Sequence, residues 1–477
     1  MNLQRVRLTT CLIVLTLLAA ACGARVSEQQ IKSAGASGGA ASGSGGLAAG
    51  AGDAGNGATD AGTTPGSSAA GGAATAGTTP GAGGPTGAAA PASGAAPAGG
   101  NGGAVDVGVS ATQVTLGNVA TLSGPVPGLF QGAVVGAQAI VAYQNSVGGL
   151  FGRKFKLDFK DDQFDTGQNR TATIELTQKA FAMLGSFSLY DDAGKDAVAK
   201  SGMPDVTYSL TSRRDLPNNF SVEPARTGGA PLGPFNYFGK KFPAEIKAVG
   251  SLHPDIPSAN QSQTAYVNAA KSVGWNVVYD RAIAATETDF TADIVRMKSK
   301  GVKLFYAGAL DDKTLARIVK ALAQQGMKIP IVTSGIGYDA DIPKLAGTAA
   351  EGLYTWQPYS MYAGEDAGIA EVKLMNQWIQ RVKPGWVPDT YTVFAWASGR
   401  LLFEAMQKAG AKAKRADVVA ALKTITKFDA GGLLAPANPA GKGAPTCGIV
   451  TQVKGGKYVR VDSPPPGYRC SDGGYHQ

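Results

Sequence analysis

Small hydroxyl-bearing residues and glycines recur in this chain at points where short apolar segments end. Those in the first half are Ser123, Gly124, Ser186, Ser188, Ser209 and Thr211. The later apolar segments end at Ser251, His253, Gly308, Thr333 and Ser334, and Tyr338 is a further candidate to line a cleft. Hydroxyl groups and free backbone N–H groups can hydrogen-bond the polar part of a small molecule. The chemistry that these residue types favour is therefore non-covalent binding.

The same residues offer little for catalysis. An exported enzyme needs a nucleophile with a base, or a metal. The chain has no Gly-x-Ser-x-Gly elbow, its two histidines are His253 and His476, and no spacing suits zinc. Adjacent carboxylates at 161–162, 191–192 and 311–312 point apart on a strand and are typical of loop caps. We expect no enzyme activity, no cofactor and no metal.

Alternating strands and helices must position these residues. Apolar segments at 114–120, 155–159, 182–184 and 204–208 alternate with helical patterns, and a second series runs from 247 to 332. This alternation predicts βαβ units with parallel sheets, which bind ligands beyond the carboxyl ends of their strands. Residues 105–477 exceed the usual size of one core, so two lobes are expected.

The N-terminus carries an export signal. Arg5 and Arg7 precede an apolar run at 8–21, too short to span a bilayer, and small residues lead to Cys22. The segment resembles a bacterial lipoprotein signal, which implies a lipid anchor on Cys22. The alternative is an ordinary secretory signal with an incidental cysteine.

Residues 34–104 consist almost entirely of Gly, Ala, Ser, Thr and Pro. Such a segment buries too little apolar surface to offset its ordering entropy, so we predict a disordered linker over 23–104. With about 70 Gly-rich residues, its root-mean-square reach is about 45 Å.

Two further features concern the exported part. Cys447 and Cys470 are 23 residues apart and are expected to form a disulfide in an oxidising compartment. The net charge of +9 is diffuse and no long basic run occurs, so no nucleic-acid partner is expected.

The order of several short motifs resembles the type I periplasmic substrate-binding proteins, in particular the leucine/isoleucine/valine-binding branch of ABC importers. The motifs are the Leu-Ser-Gly-Pro turn at 122–125, Gly148-Gly149 with Gly152-Arg153, Asp161-Asp162, and the segments 289–308, 321–332 and 350–356. The resemblance implies an α/β fold with two doubly wound lobes, a central cleft and three hinge crossings near 226–234, 351–358 and 426–434. Lobe one would comprise 105–230 and 355–428, and lobe two 231–354 and 429–477.

The resemblance also implies binding positions. A hydroxyl with backbone N–H groups would hold a ligand carboxylate at Ser188, Ser209 and Thr211, with Arg213 adding charge, and an aromatic residue would stack on the ligand at Phe130. The full predicted set is Ser123, Phe130, Ser186, Ser188, Ser209, Thr211, His253, Gly308, Ser334 and Tyr338.

The second lobe departs from the family pattern. An acidic residue that pairs with a ligand ammonium is expected near 334–336, where the sequence reads Ser-Gly-Ile. A buried ammonium without a counter-charge costs several kcal/mol, so we predict a ligand other than a simple branched-chain amino acid. Asp311, Asp312 or Asp339 could replace the missing acid, although their spacing also suits helix caps and turns.

The resemblance implies a monomeric solute-binding lipoprotein on the outer face of the cell membrane. It would capture a small organic ligand by hinge closure and deliver it to an ABC permease. The alternative is a tethered sensor that presents its bound form to a receptor.

Overall fold

The computed structural model describes residues 94–462 and 467–477. The predicted signal peptide, Cys22 and residues 23–93 of the predicted linker lie outside these residues. Within the described part of the chain, no helix has both the length and the apolar character needed to cross a membrane.

The first lobe is built on a four-stranded parallel sheet with the order β2-β1-β3-β4. The strands are β1 (Gln113–Ala120), β2 (Lys154–Asp161), β3 (Ala182–Leu184) and β4 (Asp205–Val206). The connecting helices are α1 (Gln131–Ser146), α2 (Thr166–Lys179) and α3 (Lys195–Ser201). The near-continuous burial of β1 is typical of a strand covered on both faces. The predicted βαβ pattern is confirmed here.

The second lobe is built on a seven-stranded sheet with the order β12-β11-β10-β9-β8-β6-β7. Its strands are β6 (Val249–Pro254), β7 (Val277–Ile283), β8 (Leu304–Ala307), β9 (Ile331–Thr333), β10 (Tyr354–Gln357), β11 (Ile449–Lys454) and β12 (Lys457–Arg460). A small pair, β5 (Ala230–Pro231) with β13 (Tyr475–His476), completes the strands of the described residues. The helices of this lobe are α4 (Gly233–Lys241), α5 (Pro257–Ser272), α6 (Thr291–Ser299), α7 (Asp312–Gln324) and α8 (Asp341–Ala346).

The chain passes between the two lobes three times. It leaves the first lobe after β4, returns to it after β10 to form helices, and leaves again before β11. The second and third passages run side by side, since Ser360 N–H donates to Leu433 and Ala435 N–H donates to Pro358. Strand β10 pairs on both sides in the second sheet, so the predicted start of first-lobe chain at 355 is a few residues early.

Three further helices cover the first lobe: α9 (Ala370–Val382), α10 (Thr390–Ala409) and α11 (Arg415–Leu422). Helix α10 packs closely on α1. A side chain at Gly136 would meet the backbone of Thr392, and one at Gly399 would lie 2.5 Å from Ile140. These two glycines allow the close approach of the helices. The pairing fixes α10, whose first turn reaches the cleft between the lobes.

Residues 94–104, which we expected to belong to the disordered linker, pack on the first lobe. The guanidinium of Arg153 donates to the carbonyl oxygens of Asn101 and Gly103, at 2.5 and 2.9 Å, and to those of Ser110 and Ala411. The composition of residues 94–104 does not predict this contact, because the hydrogen-bond donors belong to a single arginine outside that segment.

The C-terminal tail is joined to the second lobe by the pair Cys447–Cys470, with sulfur atoms 2.03 Å apart. Replacing both cysteines by serine should lower the free energy of unfolding by about 3 kcal/mol, because the bridge restricts the unfolded chain. Urea unfolding of the exported protein measures this change, and peptide mapping without reductant tests the pairing. An unchanged unfolding midpoint would show that the tail contributes no stability through this bridge.

Candidate ligand-binding cleft

A cavity of about 140 Å³ lies between the lobes, beyond the carboxyl ends of the parallel strands of both sheets. Its first-lobe wall includes Phe130, Phe187, Leu189, Tyr208, Leu210, Tyr391 and Phe394. Its second-lobe wall includes Pro254, Ile256, Ala259, Ile283, Gly308, Ala309, Leu310, Ser334 and Ile336. Both walls are therefore mainly apolar.

Aromatic rings dominate the first-lobe wall. The ring of Phe187 lies 4.6 Å from that of Phe130, 4.6 Å from that of Tyr391 and 5.0 Å from that of Tyr208, against which it is stacked. Tyr208 is in turn stacked on Phe394 at 5.0 Å. The edge-to-face and stacked contacts hold this surface rigid and leave ring faces and edges for an apolar ligand.

The chain after β4 shows why the wall is apolar. Tyr208 and Leu210 line the cavity, whereas Ser209 and Thr211 do not. Alternate residues of an extended chain point to opposite sides, so the hydroxyl groups are turned into the protein. The Ser209 hydroxyl accepts from Asn219 Nδ2 at 3.2 Å. Ser209 and Thr211 therefore do not line this cavity, and their contact with a ligand stays a prediction.

The Thr211 hydroxyl has a structural partner. It donates to the buried carboxylate of Asp191, which also accepts from the backbone N–H of Leu210 at 2.8 Å. Burial raises the pKa of Asp191 above its ordinary value, against the opposing charge of Arg213 and the hydrogen bond from Thr211. Thr211 stabilises this turn.

The same alternation follows β3. Phe187 and Leu189 line the cavity, whereas Ser186 and Ser188 point away from it. Ser186 Oγ accepts from the backbone N–H of Val119 at 3.0 Å. The Ser188 hydroxyl donates to the buried carboxylate of Asp162. The predicted ligand contacts at Ser186 and Ser188 also stay predictions that this cavity lining does not support.

Three other predicted residues also make contacts within the protein. The Ser123 hydroxyl donates to Asp161 at 2.5 Å, and the Tyr338 hydroxyl donates to Glu365 at 2.6 Å. His253 Nδ1 lies 3.2 Å from Asp280 Oδ1. None of the three lines the cavity, so their contact with a ligand stays a prediction without support from the cavity lining.

Phe130, Gly308 and Ser334 do lie on the cavity wall, and their contact with a ligand stays a prediction. The Ser334 hydroxyl donates to the carbonyl oxygen of Gly308 at 3.0 Å. Gly308 is required here because a Cβ atom would lie 2.6 Å from the ring of Tyr266. This polar contact joins the ends of β8 and β9 at the cleft.

The second-lobe wall contains Ile336 where the family pattern leads us to expect an acid. Asp311 also lines the cavity, but its carboxylate caps α7 by accepting from Thr314 N–H at 3.0 Å. Asp312 and Asp339 lie outside the wall, where they cluster with Asp341. Burial, followed by repulsion between carboxylates, raises the pKa of Asp312 to about 7.

Arg213 is not available to a ligand either. Its guanidinium donates to both carboxylate oxygens of Asp205, at 2.8 and 2.7 Å, and both side chains are fully buried. Burial alone would raise the pKa of Asp205, but the charge and hydrogen bonds of Arg213 outweigh it and lower that pKa. This ion pair supports the turn that carries Tyr208 and Leu210.

One acidic residue at the cleft was missed by the sequence analysis. Glu223 lines the cavity and its carboxylate has no hydrogen-bond partner among the residues that the structure describes. Burial raises its pKa to about 8, although the positive charge of Arg214 opposes the shift. Glu223 is therefore mostly protonated at neutral pH.

Tyr391 and Phe394 were also missed. They are three residues apart near the start of α10 and so share one face of the helix. Asp389 caps this helix by accepting from Thr392 N–H at 2.7 Å. An Asp-x-x-Thr cap, with one aromatic residue inside it and a second two residues after it, is the sequence signal that could have found them.

Two α/β lobes, linked by three crossings, face each other across this cavity. Residues 113–457 match the model of the periplasmic binding protein family. The chain belongs to this family and has the type I periplasmic binding protein fold. At the family level it is an extracytoplasmic solute-binding protein of the kind that serves ABC transporters, not an enzyme.

Several known proteins are similar. Leu/Ile/Val-binding protein homolog 2 of Brucella abortus is 24% identical over 310 residues, which cover 64% of this chain and 80% of the relative. A fatty acid ABC transporter substrate-binding protein from Thermomonospora curvata superposes with a TM-score of 0.65 at 19% identity, covering 75% of this chain and 93% of that one. A branched-chain amino acid ABC transporter protein from Thermus thermophilus with bound valine gives a TM-score of 0.65 at 17% identity, covering 75% and 97%.

Proposed function

We propose that this chain is the solute-binding lipoprotein of an ABC importer and that it captures a small, mainly apolar organic molecule. The observation that carries the proposal is the pattern of the cleft walls. Aromatic and aliphatic side chains from both lobes face the cavity, while the neighbouring hydroxyl groups are turned into the protein. Burying apolar ligand surface against both walls favours closure of the lobes.

The ligand is not a simple branched-chain amino acid. An α-ammonium group in this cleft would meet Ile336 and Leu310 in the second lobe, and Asp311 is engaged as a helix cap. Placing an ammonium there costs several kcal/mol unless it is paired. Proteins with the same fold accommodate both kinds of ligand, since one neighbour is described as binding fatty acids and another contains valine.

Attachment to the membrane through Cys22 is part of the proposal. The signal sequence ends at this cysteine, and residues 23–93 have the composition of a tether. A lipid on Cys22 would keep the binding domain near its permease while the tether lets it reach ligand. The domain would act as a monomer.

Thermal-shift screening of the exported protein tests the function. We expect apolar carboxylates and other non-amine metabolites to raise the melting temperature by several degrees, because a ligand that binds only the folded state stabilises it. Leucine, isoleucine and valine, at the same concentrations, should raise it by less than 1 °C. If leucine alone stabilised the protein, the proposal that the second-lobe wall excludes an ammonium group would be contradicted. If no small molecule raised the melting temperature, the proposed function would be contradicted.

A further inference from the structure

A second cavity of about 80 Å³ opens from the first. The residues that line both cavities are Tyr208, Leu210, Glu223, Ser262, Tyr266, Ser334, Gly335 and Pro358. Because these eight residues line both, the two cavities adjoin each other. The second cavity extends towards the crossing that follows Glu223 and is lined there by Arg214, Pro224 and Gly229.

The charged residues that line the second cavity are Arg214 and Glu223. Glu223 faces both cavities, and Arg214 faces the second. Arg214 Nε donates to the carbonyl oxygen of Thr211 at 3.2 Å, and its two terminal nitrogens have no partner among the described residues. The Glu223 backbone N–H donates to Ser221, while its carboxyl group has no hydrogen-bond partner there. No ion pair joins Arg214 to Glu223, so both remain available to a ligand.

Charged groups without partners in a confined site are costly, and the cost is offset when a ligand pairs with them. A carboxylate suits both residues. It can accept from the two terminal nitrogens of Arg214 and from the hydroxyl of a protonated Glu223. An aliphatic or aromatic chain attached to that carboxylate would extend into the aromatic part of the cleft.

We propose that the ligand is an elongated amphiphilic monocarboxylate whose chain lies between Phe187 and Ile336 and whose carboxylate binds Arg214 and Glu223. This inference rests on the proposed function and specifies the ligand class of the same cleft. No covalent step is involved. Glu223 keeps its proton and shares it with the ligand carboxylate as a hydrogen bond.

The arrangement makes binding depend on pH. The pKa of Glu223 is about 8, so below that value its protonated form is available to the ligand. Above it, Glu223 ionises and repels the carboxylate, and affinity should fall about tenfold per pH unit. The other titratable groups that face Glu223 are Arg214, Tyr208, Tyr266 and Tyr359. Burial raises the pKa of all three tyrosines, that of Tyr266 to about 12, so they stay neutral over this range.

Calorimetric titration of the exported protein with octanoate, octanol and octylamine tests the inference. At pH 7 we expect octanoate to bind at least tenfold more tightly than octanol, and octylamine most weakly. Arg214→Gln should weaken octanoate at least tenfold and change octanol less than threefold. Between pH 7 and 9.5 the affinity for octanoate should fall at least tenfold. Glu223→Gln, whose amide also donates, should keep the pH 7 affinity within threefold and abolish the loss at high pH.

Arg226→Gln is the matched control, because this neighbouring side chain is exposed and lines neither cavity. It should leave all three affinities unchanged. If octylamine bound most tightly of the three and lost that affinity in Glu223→Gln, the inference would be overturned and Glu223 would be a partner for an ammonium group. Equal binding of octanol and octanoate would also overturn it. If none of the three binds while the thermal-shift screen finds another ligand, the inference fails and the function stands; if neither experiment finds a ligand, both fail.

Discussion

Replacing Ile336 with glutamate should lower the affinity for octanoate about a hundredfold at pH 8. Ile336 faces the cavity on the second-lobe wall, where the family pattern favours an acid. Lobe closure would transfer the new carboxylate from water into contact with the ligand chain. That desolvation costs several kcal/mol, or forces the carboxyl group to take up a proton. The loss should therefore shrink at pH 5, where protonation is easier.

Ile336→Met is the matched control, since it conserves an apolar side chain of similar volume and should keep affinity within threefold. Ile336 is half-buried, so the melting temperature of the ligand-free glutamate variant should change by no more than a few degrees. Calorimetry at both pH values, with thermal melts of each variant, gives the result. Undiminished octanoate binding by the glutamate variant would show that the ligand does not occupy this part of the cleft.

The second large effect concerns stability. Replacing Arg213 with methionine should lower the free energy of unfolding by about 3–5 kcal/mol, because it leaves a buried carboxylate without its counter-charge. Asp205 is completely buried and would keep only its hydrogen bonds from Thr207 and Asn219. The turn that carries Tyr208 and Leu210 would lose its support at the same time.

Urea unfolding followed by tryptophan fluorescence measures this change. Lys179→Ala is the control, since Lys179 pairs with Glu175 on an exposed helix surface and should contribute less than about 0.5 kcal/mol. The folded pKa of Asp205 is lowered, so the contribution of the pair is fully present above the pKa of an unfolded aspartate, about 3.9. It should be lost as the pH falls through the lower folded value. A change of less than 1 kcal/mol in the Arg213 variant would contradict this account of the ion pair.

Apolar periodicity was sufficient to predict the alternating strands and helices, whereas the three crossings were implied by the family resemblance. The first-lobe strands at 114–120 and 182–184 were predicted within one residue of their observed bounds. Helix α10 was not predicted, since its mixture of aromatic and small residues is buried around most of its circumference and gives no clear polar face.

The site could be predicted only in part. The segments after β3 and β4 were correctly placed at the cleft. The sequence did not show which alternate residues of these segments face the cavity. A shift of one residue exchanges Ser209 and Thr211 for Tyr208 and Leu210, and β4 itself is only two residues long. Glu223 was missed because no local pattern marks it, and its role depends on how the first crossing meets Arg214 in space.

The central claim is that this cleft accepts an apolar chain and excludes an ammonium group. The most direct measurement compares leucine with 4-methylpentanoate, which has the same carbon skeleton and carboxylate but no amine, by calorimetric titration at pH 7. We expect 4-methylpentanoate to bind at least tenfold more tightly, because Asp311 is engaged as a helix cap and the raised pKa of Glu223 disfavours the ionised carboxylate that an ammonium group needs. Tighter binding of leucine would contradict it.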